Sequence, residues 1–97
     1  MKYRFSAESY DHIIFALNEV ALDYRKYDVP KPPEVKQAQD EVRASFNHDL
    51  YHEKGYQVVF LSESSKKAIY QALDENAFRY HEQVLVKLKE EFESPIL

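Results

Sequence analysis

Cysteine and tryptophan are missing from this 97-residue chain, and glycine occurs once, at Gly55. Without cysteine there is no disulfide and no thiolate metal site, and the composition fits a reducing compartment. A single glycine leaves few left-handed turns and excludes a glycine-rich phosphate loop. No apolar run approaches the roughly 20 residues that cross a bilayer. The opening residues, Met-Lys-Tyr-Arg-Phe, lack the apolar core of a signal peptide. The expectation is a cytoplasmic protein with no membrane partner.

Concentrated charge is missing too. The formal balance is −4, from 13 basic and 17 acidic side chains. Residues 1–31 carry five of each sign, and no later segment forms a basic block by count. Affinity for a phosphate backbone is therefore not expected. Tyr24-Arg25-Lys26-Tyr27 mixes stacking and basic groups as single-strand binders do. Cations at a helix C-terminus are also what the helix dipole favours. The second account is preferred, with no nucleic-acid partner.

What is present is a folded composition. Apolar residues make up 44%, enough for one small core, so residues 1–97 read as a single domain. Eight tyrosines and six phenylalanines suit a thin core filled by large rings, or half-wet interfaces.

The chain is organised around residues 62–92, a serine followed by about thirty residues free of Gly and Pro with apolar side chains at helical spacing. Its opening recurs 56 positions earlier. Tyr3–Arg25 lies over Val59–His81 without a gap, matching Ser6 to Ser62, Ile13 to Ile69, Ala16 to Ala72 and Leu17 to Leu73. This reads as a duplicated strand–helix unit, 2–27 and 58–92. The alternative is that the same capping and helix rules shaped both stretches.

Taken in order, residues 2–5 alternate as a short strand. Ser6 caps a first helix over 7–27, with Tyr10, Ile13, Leu17, Val20 and Tyr24 on one face. Pro30, Pro32 and Pro33 make a stiff turn, and Pro33 opens a second helix expected to run to Glu53. Gly55 ends it. Residues 56–61 are the clearest strand. Ser62 or Ser64 caps one long C-terminal helix, whose apolar face is interrupted only by Asn76. Such an amide needs partners if buried, and reaches water if it lies at the edge of the stripe. The apolar tail, Ile96 and Leu97, is expected to fray. The fold class is α+β, mainly helical: strand-helix-helix-strand-helix, with a two-stranded antiparallel ribbon.

Two function classes follow. The first is a non-catalytic interaction or regulatory protein acting through protein–protein contacts, with no catalytic residue and no cofactor. A helix of about thirty residues would be a rod of ~45 Å and would project beyond so small a core. Its projecting face, Tyr80, Val84, Leu85, Leu88 and Phe92, then predicts a homodimer. The competing arrangement folds the tail over that stripe in a monomer. The second class is a small metal-dependent enzyme. His48 and His52, at i and i+4, share a helix face as zinc ligands do. No third ligand is identifiable, and histidines near a helix end are favoured by the dipole, so no metal is expected. His12 and His81 each neighbour a carboxylate in sequence, which does not bring the pair face to face on a helix.

Overall fold

A computed structural model describes residues 1–96; Leu97 lies outside the described residues. Two short strands form the ribbon. In β1 (Lys2–Ser6), Tyr3 and Phe5 point inward and are buried. In β2 (Tyr56–Phe60), Gln57 and Val59 do the same. This is the two-residue period of a half-buried strand. The strands are antiparallel, with Tyr3 opposite Val59 and Phe5 opposite Gln57. The ladder extends to Met1 and Leu61, since the Leu61 N–H donates to the Met1 carbonyl at 2.8 Å and the Met1 ammonium to the Leu61 carbonyl at 2.8 Å. On the outer face the Arg4 guanidinium lies 4.1 Å from the Tyr56 ring centre, covering it.

Helix α1 (Ala7–Lys26) starts where Ser6 predicts: its hydroxyl accepts from the Ser9 N–H at 3.1 Å. Its core face is Tyr10, Ile13, Ala16, Leu17 and Val20. Asp28, with φ of 54°, turns the chain out of α1, and the Val29 N–H closes the end on the Tyr24 carbonyl at 2.9 Å. Helix α2 (Pro33–Ala44) opens on its proline as expected and packs on both α1 and α3.

Helix α2 stops nine residues short of the expected Glu53. The cause is Gln57, fully buried on the inner face of β2. Its Oε1 accepts from the Asn47 N–H at 2.8 Å, and its Nε2 donates to the Asn47 carbonyl at 2.8 Å. That clamp gives the Asn47 N–H a side-chain acceptor in place of a helical carbonyl, while the Asn47 carbonyl also accepts from the Tyr51 N–H at 3.0 Å and so belongs to the next turn. The Asn47 side chain then accepts from the Leu50 N–H at 3.0 Å and opens one wide π-helical turn, Leu50–Lys54. Gly55, with φ of 74°, ends it in the left-handed conformation expected of it.

The long C-terminal helix is two helices. Helix α3 (Glu63–Glu75) is capped by Ser62, whose hydroxyl accepts from the Ser65 N–H at 3.2 Å. Asn76 is 7% exposed, and its side-chain amide donates to the Ala72 carbonyl at 2.8 Å. A short 3-10 turn, Ala77–Arg79, follows, and Tyr80 is extended. Helix α4 (Glu82–Glu93) then packs on β1 and α1. No rod projects, and the longest dimension is 39 Å. The order is therefore β-α-α-β-α-α, two strand–helix–helix units, within the mainly helical α+β class.

This break corrects the expected interface. Leu88 and Phe92 are both fully buried within one chain. Phe92 packs its ring 4.9 Å from Phe5, 5.7 Å from Tyr3 and 4.9 Å from Tyr70. They belong to the monomer core because α4 lies along the ribbon instead of continuing α3. The tail does not fray at Ile96 either: its N–H donates to the Lys2 carbonyl at 2.8 Å, on the free edge of β1.

Candidate functional site

The break between α3 and α4 creates the most conspicuous surface of the molecule. It lifts Phe78 into solvent, 79% exposed. Phe15, on the neighbouring face of α1, is 40% exposed. Arg79 joins them. Its guanidinium lies 5.1 Å from the Phe78 ring centre and 5.6 Å from that of Phe15, and one nitrogen reaches Glu19 at 3.6 Å. Beside Phe78 is an open hollow of about 340 Å³ lined by His12, Phe15, Arg79 and Tyr80.

The floor of the hollow is fixed. The Tyr80 hydroxyl donates to the His12 carbonyl at 3.4 Å, and the two rings meet edge to face at 4.9 Å. Burial pushes the Tyr80 hydroxyl above the usual tyrosine range, Arg79 pulls it down and Glu19 adds to the rise. Tyr80 therefore stays a neutral donor at physiological pH. The His12 ring lies 3.7 Å from Glu8, one turn back on α1. Its sequence neighbour Asp11 faces elsewhere and accepts from the Tyr51 hydroxyl at 2.6 Å. The patch thus combines a protruding ring, an open hollow roomy enough to admit such a ring, and one charge of each sign. It contains no nucleophile–base pair.

Of the interface residues expected from sequence, Tyr80 lines this hollow. Val84 and Leu85 are half-buried on the first turn of α4, and Val84 packs against the core. Leu88 and Phe92 lie inside, as described. Phe15 and Phe78 were not singled out by sequence reasoning. At helical spacing Phe15 only widens the apolar stripe of α1, and the offset of 56 positions sets Phe78 against Leu22. Leu22 is itself exposed, a likeness that only the structure reveals.

His48 and His52 do come together, with ring centres 4.3 Å apart. Their partners are local: His48 lies 3.7 Å from the Asp49 carboxylate, and both of those side chains are largely in solvent. The Tyr51 ring packs against His52 at 4.9 Å. Among the described residues, no three or more His, Cys, Asp or Glu side chains gather into a group that could hold a metal ion. Two imidazoles supply only part of a zinc coordination shell. The aromatic-basic run at the end of α1 is spread out, with Lys26 near the exposed Tyr27 ring and Tyr24 turned partly into the core. Among the described residues, no helix is long and apolar enough to cross a membrane. No protein-family model, curated protein or solved structure matches the chain.

Proposed function

We propose that this chain is a non-catalytic interaction protein that works through protein–protein contacts, and that its first partner is a second copy of itself. The observation that carries the reading is the side-by-side placement of Phe78 and the hollow lined by His12, Phe15, Arg79 and Tyr80. A two-fold dimer uses the same patch on both subunits, so the patch must be self-complementary. A knob and a hole on one patch meet that condition: each Phe78 enters the hollow of the other copy. Glu19 and Arg79 add opposite charges that repeat across the axis. Exposed aromatic rings beside an arginine are also the composition of interface hot spots. The cysteine-free composition fits a cytoplasmic site of action.

This dimer differs from the one expected at sequence level. It is built on the joint between α3 and α4, not on the apolar stripe of one long helix. Light scattering at tens of micromolar should give twice the 11.5 kDa of one chain. Phe78→Asp should return the mass to that of one chain, with the circular dichroism unchanged. A wild-type mass of one chain across the accessible concentration range would overturn the self-association.

A further inference from the structure

Toward the C-terminal end of α1 lies an open surface cavity, a groove of about 520 Å³, with no acidic residue in its lining. For a chain of net charge −4, this is a local inversion. Arg25 and Lys31 supply its two cations, and among the described residues neither has a carboxylate within ion-pairing distance.

Lys31 is held by neutral groups. Its ammonium donates to Gln39 Oε1 at 2.9 Å. Gln39 is only 7% exposed, and its Nε2 donates to Asn18 Oδ1 at 3.1 Å. Arg43 donates to the same Asn18 oxygen at 3.0 Å. The relay pins Lys31 at the wall through neutral groups; Asp40, which feels the Lys31 charge, makes its ion pair with Lys36 at 2.9 Å instead. A lysine recruited only to stabilise the fold would gain more from a carboxylate than from an amide. The Asn18 oxygen is thus occupied twice, by Gln39 and Arg43.

Three carbonyls at the end of α1 are satisfied by backbone rather than by these side chains. The Val29, Asp28 and Tyr27 N–H groups already cover the Tyr24, Arg25 and Asp23 carbonyls. The same turn, through the left-handed Asp28, carries Val29 to the cavity rim. Ala21, Leu22 and Val29 make the rest of the wall apolar, and the last two are about half exposed. Cations on one side, aliphatic carbons on the other and a volume in the small-ligand range describe an amphipathic anion.

The geometry points to this cavity as a binding site for a small organic carboxylate with a branched aliphatic body. The carboxylate would sit between the Arg25 guanidinium and the Lys31 ammonium, and the aliphatic part on Ala21, Leu22 and Val29. The site shares no lining residue with the hollow beside Phe78 and does not depend on the dimer.

The test titrates 15N-labelled protein with 4-methylvalerate, with its uncharged amide, and with acetate. The acid should move the Ala21, Leu22, Val29 and Lys31 amide signals saturably. The uncharged amide and acetate should each bind at least about tenfold more weakly, since each lacks one of the two contacts. Lys31→Gln and Arg25→Gln should each weaken the acid about tenfold or more and leave the rest of the spectrum in place. No saturable shift with the acid would overturn the proposal. So would equal binding of acid and amide, or variants that bind the acid as the wild type does.

Discussion

Glu41 and Glu91 each stand on the second helix of one half of the molecule and accept from the cap serine of the other half. Glu41, on α2, takes the Ser62 N–H at 2.7 Å on one oxygen. Its other oxygen takes the Ser62 hydroxyl at 3.0 Å and the Ser65 hydroxyl at 2.8 Å. Glu91, on α4, takes the Ser6 N–H at 3.3 Å, while its second oxygen is buried without a partner. Two strand–helix–helix units are thus crossed over by their second helices, around a ribbon whose middle pair is Arg4–Val58. The two crossings are unequal, and the inequality is measurable.

Glu41→Gln should destabilise the chain by about 1–2 kcal/mol at pH 7, because neutral hydrogen bonds replace charge-assisted ones. Glu91→Gln, losing a single long bond, should have the smaller effect. Burial raises the Glu41 carboxyl, but bonds from the Ser62 N–H, the two serine hydroxyls and Gln37 outweigh it and hold it below the ordinary 4.5. A lowered folded-state pKa contributes stability above the unfolded value, and this is lost as pH falls through the folded one. The gap between wild type and Glu41→Gln should therefore narrow below pH 4.5. Denaturant unfolding at pH 7 and at acidic pH checks both points. Equal stabilities at pH 7 would show that the carboxylate is not needed.

Gln57→Leu should cost about 1–3 kcal/mol, since it removes the partner of the Asn47 N–H and one of the two partners of the Asn47 carbonyl, which keeps the Tyr51 N–H. The loss should appear in denaturant unfolding. Amide exchange at Asn47, slow in the wild type, should become fast. If exchange there is unchanged, the clamp is not what ends α2.

Removing metal should change nothing in the fold. His48 and His52 sit in solvent on the turn after Asn47, and the Gln57 clamp already fixes that turn. Thermal melts with and without a chelator should overlay. A drop of about ten degrees would reveal a structural metal and reopen the metal-enzyme reading.

The elements that local chemistry dictates were legible in the sequence. Ser6, Ser62, Pro33 and Gly55 act where capping and turn rules put them, and the alternation in 2–5 and the run of β-formers in 56–61 gave the ribbon. Both helix ends that were missed depend on contacts distant in sequence. Gln57 ends α2 from ten residues away in another element, and a single glutamine among β-formers gives no such warning. Asn76 was visible as an interruption, and its counterpart Val20 is buried as well. The two positions share an environment, but the chain continues as helix after one and breaks after the other. The Phe78 patch was missed for the same reason, since it exists only because of that break.

What enforces the break can be decided by magnitude. Asn76 contributes one side-chain bond to the Ala72 carbonyl, a carbonyl that the Asn76 N–H already reaches at 3.2 Å. Such a cap contributes about 1 kcal/mol. Leu88 and Phe92 are fully buried only if α4 folds back, and each contributes roughly 1.5–3 kcal/mol by leaving water. Burial should win. Asn76→Val, which installs the residue of the first repeat, should shift stability by less than about 1.5 kcal/mol, since an apolar side chain replaces a bonded amide in a buried site. It should leave α4 docked, with contacts between the Phe92 and Phe5 rings still seen by NMR. Leu88→Asp should instead cost about 4 kcal/mol or more, by leaving an unpaired charge in the core, and should unfold or loosen the monomer rather than simply split a dimer. If Asn76→Val fuses α3 and α4 into one helix and frees Phe92, the amide is the switch and the burial argument fails.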